Sequence, residues 1–327
     1  MAQSEIQMDE VFPAFLRQRA GETGARREMM ESRVWRIRGK HERQALSLLR
    51  AAEVTLYRAI LLACGCWQRG WRAAHSPELR EITVPVAGLP PSLDGLTILH
   101  LSDLHFGRTY PEHAQAIFRL VYGITADLCV MTGDFRQGHY GPDDHVVPMV
   151  RELLNRVHIR HGSWAVLGNH DTLSLGEQLE TEAGVRVLYN EAVPVAVASG
   201  ARFWVAGVDD PHWFRLEDPV RALQAIPDGA FRIMLAHSPE AASACARLGV
   251  HLYLCGHTHG GQICLPGSVP IMKNARCPRS QLKGLWRLGA MTGYTTAGLG
   301  STDLPLRLWC PPEAAVLRLR PECADVR

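Results

Sequence analysis

Seven side chains of the kind that hold metal ions follow short apolar runs along this chain: Asp103, His105, Asp134, Asn169, His237, His257 and His259. The most informative stretch is Gly256-His257-Thr258-His259-Gly260-Gly261-Gln262, where a β-rich run delivers two imidazoles into a glycine loop too bare to cover them. Residues two apart in an extended segment point the same way, so Asp103 with His105, and His257 with His259, can each reach one ion together. Asp134 follows Gly133, which gives the backbone room, and is the natural carboxylate to bridge two cations; Asn169 and His237 would complete the second ion. Two carboxylates, four neutral imidazoles and an amide leave about two positive charges once a pair of divalent ions binds, and such a site attracts an anion. A phosphoryl group bridging the pair would be attacked in line by a metal-bound water. His170 is then free to protonate the leaving oxygen, with Asp171 beside it to orient or charge that imidazole. Mixed oxygen and nitrogen ligands without thiolate point to manganese first, with iron or zinc as alternatives.

The elements that must carry these residues read as an α/β alternation. Strand-like runs at 96–101, 128–132, 163–167, 231–236 and 251–255 are separated by helix-like stretches at 111–124, 146–157 and 239–248. Runs at 185–189, 193–197 and 201–208 follow one another through short turns and suggest a local antiparallel segment, and 293–297 and 314–319 add further strands. Two sheets packed face to face, with helices outside, are expected. Each candidate ligand lies just past a strand end, where open α/β sheets place their sites. The stretch 265–284, rich in Pro and Gly, reads as a surface loop.

The domain is expected over residues 81–327, preceded by an extension over residues 1–80 that is partly disordered. Residues 1–40 lack sustained periodicity and read as disordered or as a loose helix. Within the extension, Leu49, Ala52, Leu56, Ile60, Ala63 and Trp67 recur at helical spacing, with Arg43, Ser47, Arg50 and Arg58 largely off that stripe, so an amphipathic basic helix is expected over about 43–72. It either packs on the domain or another subunit, or rests on an anionic membrane face. The apolar block 59–67 is about half of the ~20 residues a spanning helix needs.

The pattern resembles the calcineurin-like metallophosphoesterase family, whose motifs stand here as Asp103-Leu104-His105, Gly133-Asp134, Gly168-Asn169-His170-Asp171, His237 and Gly256-His257-Thr258-His259, in the family's order. The resemblance covers about residues 95–319 and is close to the small bacterial branch whose last motif runs on into Gly-Gly-Gln. It implies a four-layer αββα sandwich of two mixed sheets. It also implies Asp103, His105, Asp134 and His259 on one metal and Asp134, Asn169, His237 and His257 on the other, with His170 as leaving-group acid or phosphate contact. Where that branch commonly has Leu and an acidic residue after Gly-Asp, this chain has Phe135 and Arg136, the latter readable as a phosphate clamp or, more simply, as a surface salt bridge.

Composition narrows the remaining choices. A formal charge of +2 over 327 residues gives no broad footprint for nucleic acid. Nine cysteines without metal-type pairing, and no apolar leader with a cleavage site, suggest reduced thiols on the cytoplasmic side, peripheral to the inner membrane face if the basic helix binds lipid. His139, His145, His158 and His161 read as solvated. The expected activity is two-metal hydrolysis of a phosphate ester, a phosphodiester first. One alternative is a membrane-surface pyrophosphatase on a lipid-linked substrate such as UDP-2,3-diacylglucosamine, which some relatives of this pattern hydrolyse; another is a non-catalytic scaffold.

Overall fold

Short apolar runs bounded by Gly, Pro, Asp and Asn become the strands of two six-stranded sheets. The computed structural model describes residues 16–37, 55–107, 111–139, 141–197, 200, 202–302 and 304–322. The first sheet contains β1 (Glu78–Val86), β2 (Thr97–Leu101), β3 (Leu128–Met131), β4 (Ser163–Ala165), β5 (Arg186–Val187) and β12 (Glu313–Pro321), in the order β1-β12-β2-β3-β4-β5. Only the β12–β2 pairing is antiparallel. The second holds β6 (Glu191–Ala196), β7 (Arg202–Gly207), β8 (Arg232–Leu235), β9 (Leu252–Cys255), β10 (Gly284–Leu288) and β11 (Met291–Thr295), in the order β10-β11-β9-β8-β7-β6. Its two edge pairings are antiparallel and the inner three parallel.

Burial explains the stacking. Ile98, Leu128, Val130 and Val166 from the first sheet meet Val205, Ile233, Leu235, Leu252 and Leu254 from the second in one apolar layer. The outer face of the first sheet is covered by α4 (Pro111–Val121), α5 (Val146–Leu154) and α6 (Leu173–Ala183), through Ile117, Val150, Leu175 and Leu179. The outer face of the second is covered by α7 (Pro219–Leu223) and α8 (Ala242–Arg247), through Ala222, Leu223, Ala242 and Cys245. The order of layers is therefore α, β, β, α, as expected. Because central strands buried on both faces read as continuous apolar runs, the parallel core of each sheet was visible in the sequence.

In the extension, residues 16–37 form a helix, α1 (Leu16–Ile37), which is the helical alternative expected there, but it is kinked at Gly21 and docked on α6, with Leu16 and Ala20 inside the core. Two features depart from expectation. The single helix expected over 43–72 is instead two: one over 55–63 (α2) and one from Cys66 to Ala74 (α3), parted at Gly65, whose φ of 70° ends the first. Residues 43–54 lie outside the described residues. Of the expected stripe, Trp67, with Leu61 and Cys66, packs on Leu304, Leu306 and Leu308, whereas Leu56 and Ile60 stand exposed. The domain's first strand begins at Glu78, inside the expected extension, because β1 pairs with β12 along its whole length.

Two local readings are also corrected. The expected antiparallel trio loses its first member: β5 pairs in parallel with β4 in the other sheet, and only β6 and β7 form the hairpin. The expected loop 265–284 contains a small hairpin, Cys264–Leu265 with Val269–Pro270, and ends at β10. Among the described residues, no helix is long and apolar enough to cross a membrane.

Candidate metal centre

The ends of β2, β3, β8 and β9, with the loop after β4, converge on one edge of the sandwich. There the seven candidate ligands meet. Ligand atoms of Asp103, His105 and His259 form one group, those of Asp134, His237 and His257 a second, and those of His105, Asp134 and His170 a third; within each group all lie within 4.8 Å of one another. Asn169 joins the second group, its Oδ1 lying 3.0 Å from His237 Nε2.

The backbone is bent to achieve this. Asp103, His105, Asp134, His257 and His259 all have positive φ, from 44° to 67°. Such conformations are sparsely populated by L-residues and persist where the surroundings impose them, which is typical of functional sites. Glycine supplies the remaining space: a Cβ on Gly133 would lie 2.5 Å from the Gly168 backbone nitrogen and 2.9 Å from His237 Nδ1.

Ring orientation is fixed from behind. His105 Nδ1 lies 3.1 Å from the Arg136 carbonyl and His237 Nδ1 2.7 Å from that of Thr132. A carbonyl only accepts, so both nitrogens carry a proton and leave Nε2 for a ligand. His257 is turned the other way: its Nε2 faces the Asn274 carbonyl at 3.1 Å, which leaves Nδ1 free. His237 Nε2 and His257 Nδ1 then point at each other across 3.1 Å, with Asp134 Oδ2 at 3.4 Å from the former. Two lone pairs and a carboxylate cannot share that space without a proton or a cation between them. Buried Asp103 Oδ1 has no hydrogen-bond partner among the described residues, which for a carboxylate oxygen calls for an ion. It lies 3.5 Å from His259 Nε2, which is itself 3.2 Å from His105 Nε2. The donor set fits a pair of divalent cations.

Charge in the site follows from burial and from these neighbours. Burial pushes the Asp103 carboxyl up to about 6 and the His105 imidazole down to about 3. Burial also works against a charged Asp134, yet His237, His170 and His105 outweigh it and hold this carboxyl well below the usual range. The same attraction, from Asp134 and then Asp103, overcomes burial at His237 and raises that imidazole well above its ordinary value. A cation held here would take the place of the His237 proton.

His170 stands at the rim. Its backbone N–H donates to Asp134 Oδ1 at 2.9 Å, and its Nε2 is 3.8 Å from Asp134 Oδ2. The expectation that Asp171 orients this ring is corrected: His170 Nδ1 has no hydrogen-bond partner among the described residues. Asp171 Oδ2 instead accepts from the N–H groups of Asp134 (2.7 Å) and Gly168 (2.8 Å), and Oδ1 from those of Phe135 (2.9 Å) and Arg136 (3.4 Å). Its carboxylate is a rivet between two ligand-bearing loops. Arg136 pairs with Asp143 at 3.1 Å and the Gly141 carbonyl at 2.8 Å, which is the ion pair of the simpler reading, although the guanidinium is buried and not at the surface.

Several contributors had no motif to announce them. His139, expected to be solvated, stacks on His170 with centroids 3.9 Å apart. His212 lies with its ring 4.0 Å from that of His257 and is held by Glu240 at 2.8 Å. Arg307, fully buried, donates to the His259 carbonyl (2.8 Å) and lies 2.9 Å from its Nδ1, behind the ring. The lone Arg inside Leu306-Arg307-Leu308 is the signal, since a charge in an apolar run is paired or it is not buried.

Comparison with known proteins agrees with this geometry. Residues 96–261 match the family model described as calcineurin-like phosphoesterase. The chain is 31% identical over 255 residues to the metallophosphoesterase YkuE of Bacillus subtilis (strain 168), covering 75% of this chain and 86% of that protein. It is 30% identical over 238 residues to the phosphodiesterase YaeI of Escherichia coli (strain K12), covering 68% and 81%. A transmembrane protein with metallophosphoesterase domain from Danio rerio is 31% identical over 255 residues, which are 72% of this chain and 56% of that protein.

Proposed function

Because the chain belongs to the calcineurin-like phosphoesterase family and is a metal-dependent phosphoesterase, we propose that it hydrolyses phosphodiesters at a two-cation centre. In this reading Asp103, His105, Asp134 and His259 hold one ion and Asp134, Asn169, His237 and His257 the other, with manganese the first choice. Two divalent cations there would polarise the phosphoryl oxygens and acidify the attacking water. The observation that carries the reading is the facing pair His237 Nε2 and His257 Nδ1, 3.1 Å apart beside Asp134. The chain's own part is placement. Carbonyl partners lock the ring tautomers, left-handed backbone turns the ligands inward, and His170, partly exposed at the rim, is poised to give a proton to the leaving oxygen. The likeness to a protein named as a phosphodiesterase supports a diester as substrate.

The test is turnover of a chromogenic phosphodiester with Mn(II) by the native chain, Asp134→Ala and His170→Ala. Asp134→Ala should lose metal and activity together. His170→Ala should keep its metal and lose about 10²–10⁴ in kcat, the usual range for a general acid. Full turnover in both variants, or activity that survives thorough chelation, refutes the reading.

A second reading, a lipid-linked phosphate or pyrophosphate met at a membrane face, draws on the exposed Leu56, Tyr57, Ile60 and Leu62 of α2. Including a nucleotide-sugar pyrophosphate and a phospholipid in the substrate panel separates the two.

A further inference from the structure

We propose that Arg27 is a positioning residue for the reaction, and that α1 is thereby a working part of the active site although it lies outside the matched family region. The inference rests on the two-cation reading above. The Arg27 side chain is fully buried. Its Nη2 donates to the Gly168 carbonyl at 2.9 Å and to the Asp171 carbonyl at 2.8 Å. Those two carbonyls bracket Asn169, a proposed ligand, and His170, the proposed leaving-group acid. One planar guanidinium therefore straps both ends of the loop that carries the two groups.

The strap is itself anchored. Nη1 pairs with Asp209, whose Oδ2 also accepts from Tyr189 Oη at 2.6 Å. Nε donates to Glu31 at 3.0 Å, and the guanidinium lies 4.1 Å over the Phe214 ring. Glu31 in turn accepts from the Leu173 N–H, tying α1 to the start of α6. A fully buried cation needs this many partners to be tolerated, and a lysine cannot reproduce the fork that reaches two carbonyls and a carboxylate at once.

A purely structural role would also bury an arginine, so the control must weaken the docking of α1 without removing the strap. Arg19 serves: it holds the same helix to Glu180 and Glu191, each at 2.6 Å, and its Nη2 donates to the Val187 carbonyl at 3.4 Å. Metal-loaded Arg27→Met, Arg27→Lys and Arg19→Met would be compared with the native chain in Tm, in kcat and KM on the chromogenic diester, and in Mn(II) affinity followed by electron paramagnetic resonance. Arg27→Met should lose ~10–100-fold in kcat with KM little changed, and the weaker of its two Mn(II) sites should loosen by a similar factor, as when outer partners of metal ligands are removed. Guanidinium ion added below denaturing concentration should restore part of the lost rate. Arg27→Lys should fall between, and should carry the comparison if the Met variant does not fold. Arg19→Met should lower Tm and leave kcat within about twofold.

The proposal is overturned if the Arg27 variants lose Tm but keep kcat and Mn(II) affinity. It is equally overturned if Arg19→Met lowers kcat as much as they do, since docking of the helix would then be the cause. A native chain that neither binds Mn(II) nor cleaves the diester fails at the earlier step and refutes the two-cation reading instead.

Discussion

Replacing Asp171 by Asn tests the claim that this carboxylate joins two loops and does not act on His170. The two side chains have the same shape, so no cavity forms. In the native chain Oδ1 and Oδ2 each accept from two backbone N–H groups. An amide keeps one oxygen and turns the other position into a donor facing two donors. Two charge-assisted hydrogen bonds are lost and their N–H groups stranded, at ~1–3 kcal/mol apiece. Against this, burial and the nearby Asp134 charge raise the Asp171 carboxyl above its ordinary value, so the native carboxylate is itself held at a disadvantage that the neutral amide escapes. Allowing for that offset, about 3 kcal/mol of destabilisation is expected. With ~2.1 cal/mol/K of unfolding entropy per residue, that corresponds to about 4 °C in Tm for a chain of 327 residues. Calorimetry on the metal-loaded variant measures it. The amide orientation that keeps the shorter pair strands the Phe135 and Arg136 N–H groups, in the loop that follows Asp134, so Mn(II) affinity should fall as well. An Asp171→Asn protein that melts within about 1 °C of native and binds Mn(II) normally would show that the four contacts carry no weight, and would return Asp171 to a role on the imidazole.

Two further predictions concern other parts of the molecule. Burial pushes the Glu217 carboxyl up to about 7, and its Oε2 has no partner among the described residues. A raised folded value means that the native state binds the proton more tightly, so the charged form opposes folding and stability drops as pH rises through that value. Glu217→Gln should therefore raise Tm at about pH 8, by the equivalent of about 1 kcal/mol after discounting for a half-buried site, with most of the gain gone by about pH 5; a gain independent of pH contradicts this. Gly133→Ala puts a methyl against the Gly168 backbone at a φ of 89°, and should destabilise by at least ~1–3 kcal/mol while weakening Mn(II) binding, both readable in one thermal titration.

The centre of the molecule was readable because physics writes it in local sequence. Strands buried on both faces are continuous apolar runs, so β2, β3, β8 and β9 fall within a residue or two of expectation, and the seven ligands come together past their ends. The periphery was less readable. α1 holds to the domain through Leu16, Ala20 and a buried guanidinium, with Gly21 and Gly24 between them, and so presents no apolar stripe. β10 is an edge strand with one buried residue, Trp286, in an otherwise loop-like stretch. α6 has Thr172 capping its start and Gly184 closing its end, but Glu177, Glu180 and Glu182 dilute its apolar face and mask the helical period. Asp171 turns away from its neighbour to the backbone of the other loop, because adjacency in sequence to His170 is not a side-chain contact in space.

The left-handed backbone at the proposed ligands narrows the routes by which this family member can change. Asp, Asn and His are among the few chiral residues that enter that region readily, and they are also the residues that bind cations through oxygen and imidazole nitrogen. At Asp103, His105, Asp134, His257 and His259 the same short menu answers both demands. A substitution to Val, Ile or Thr there would remove a donor and unbend the chain in one step. Drift towards a metal-free descendant therefore has to pass through glycine, or reshape whole turns.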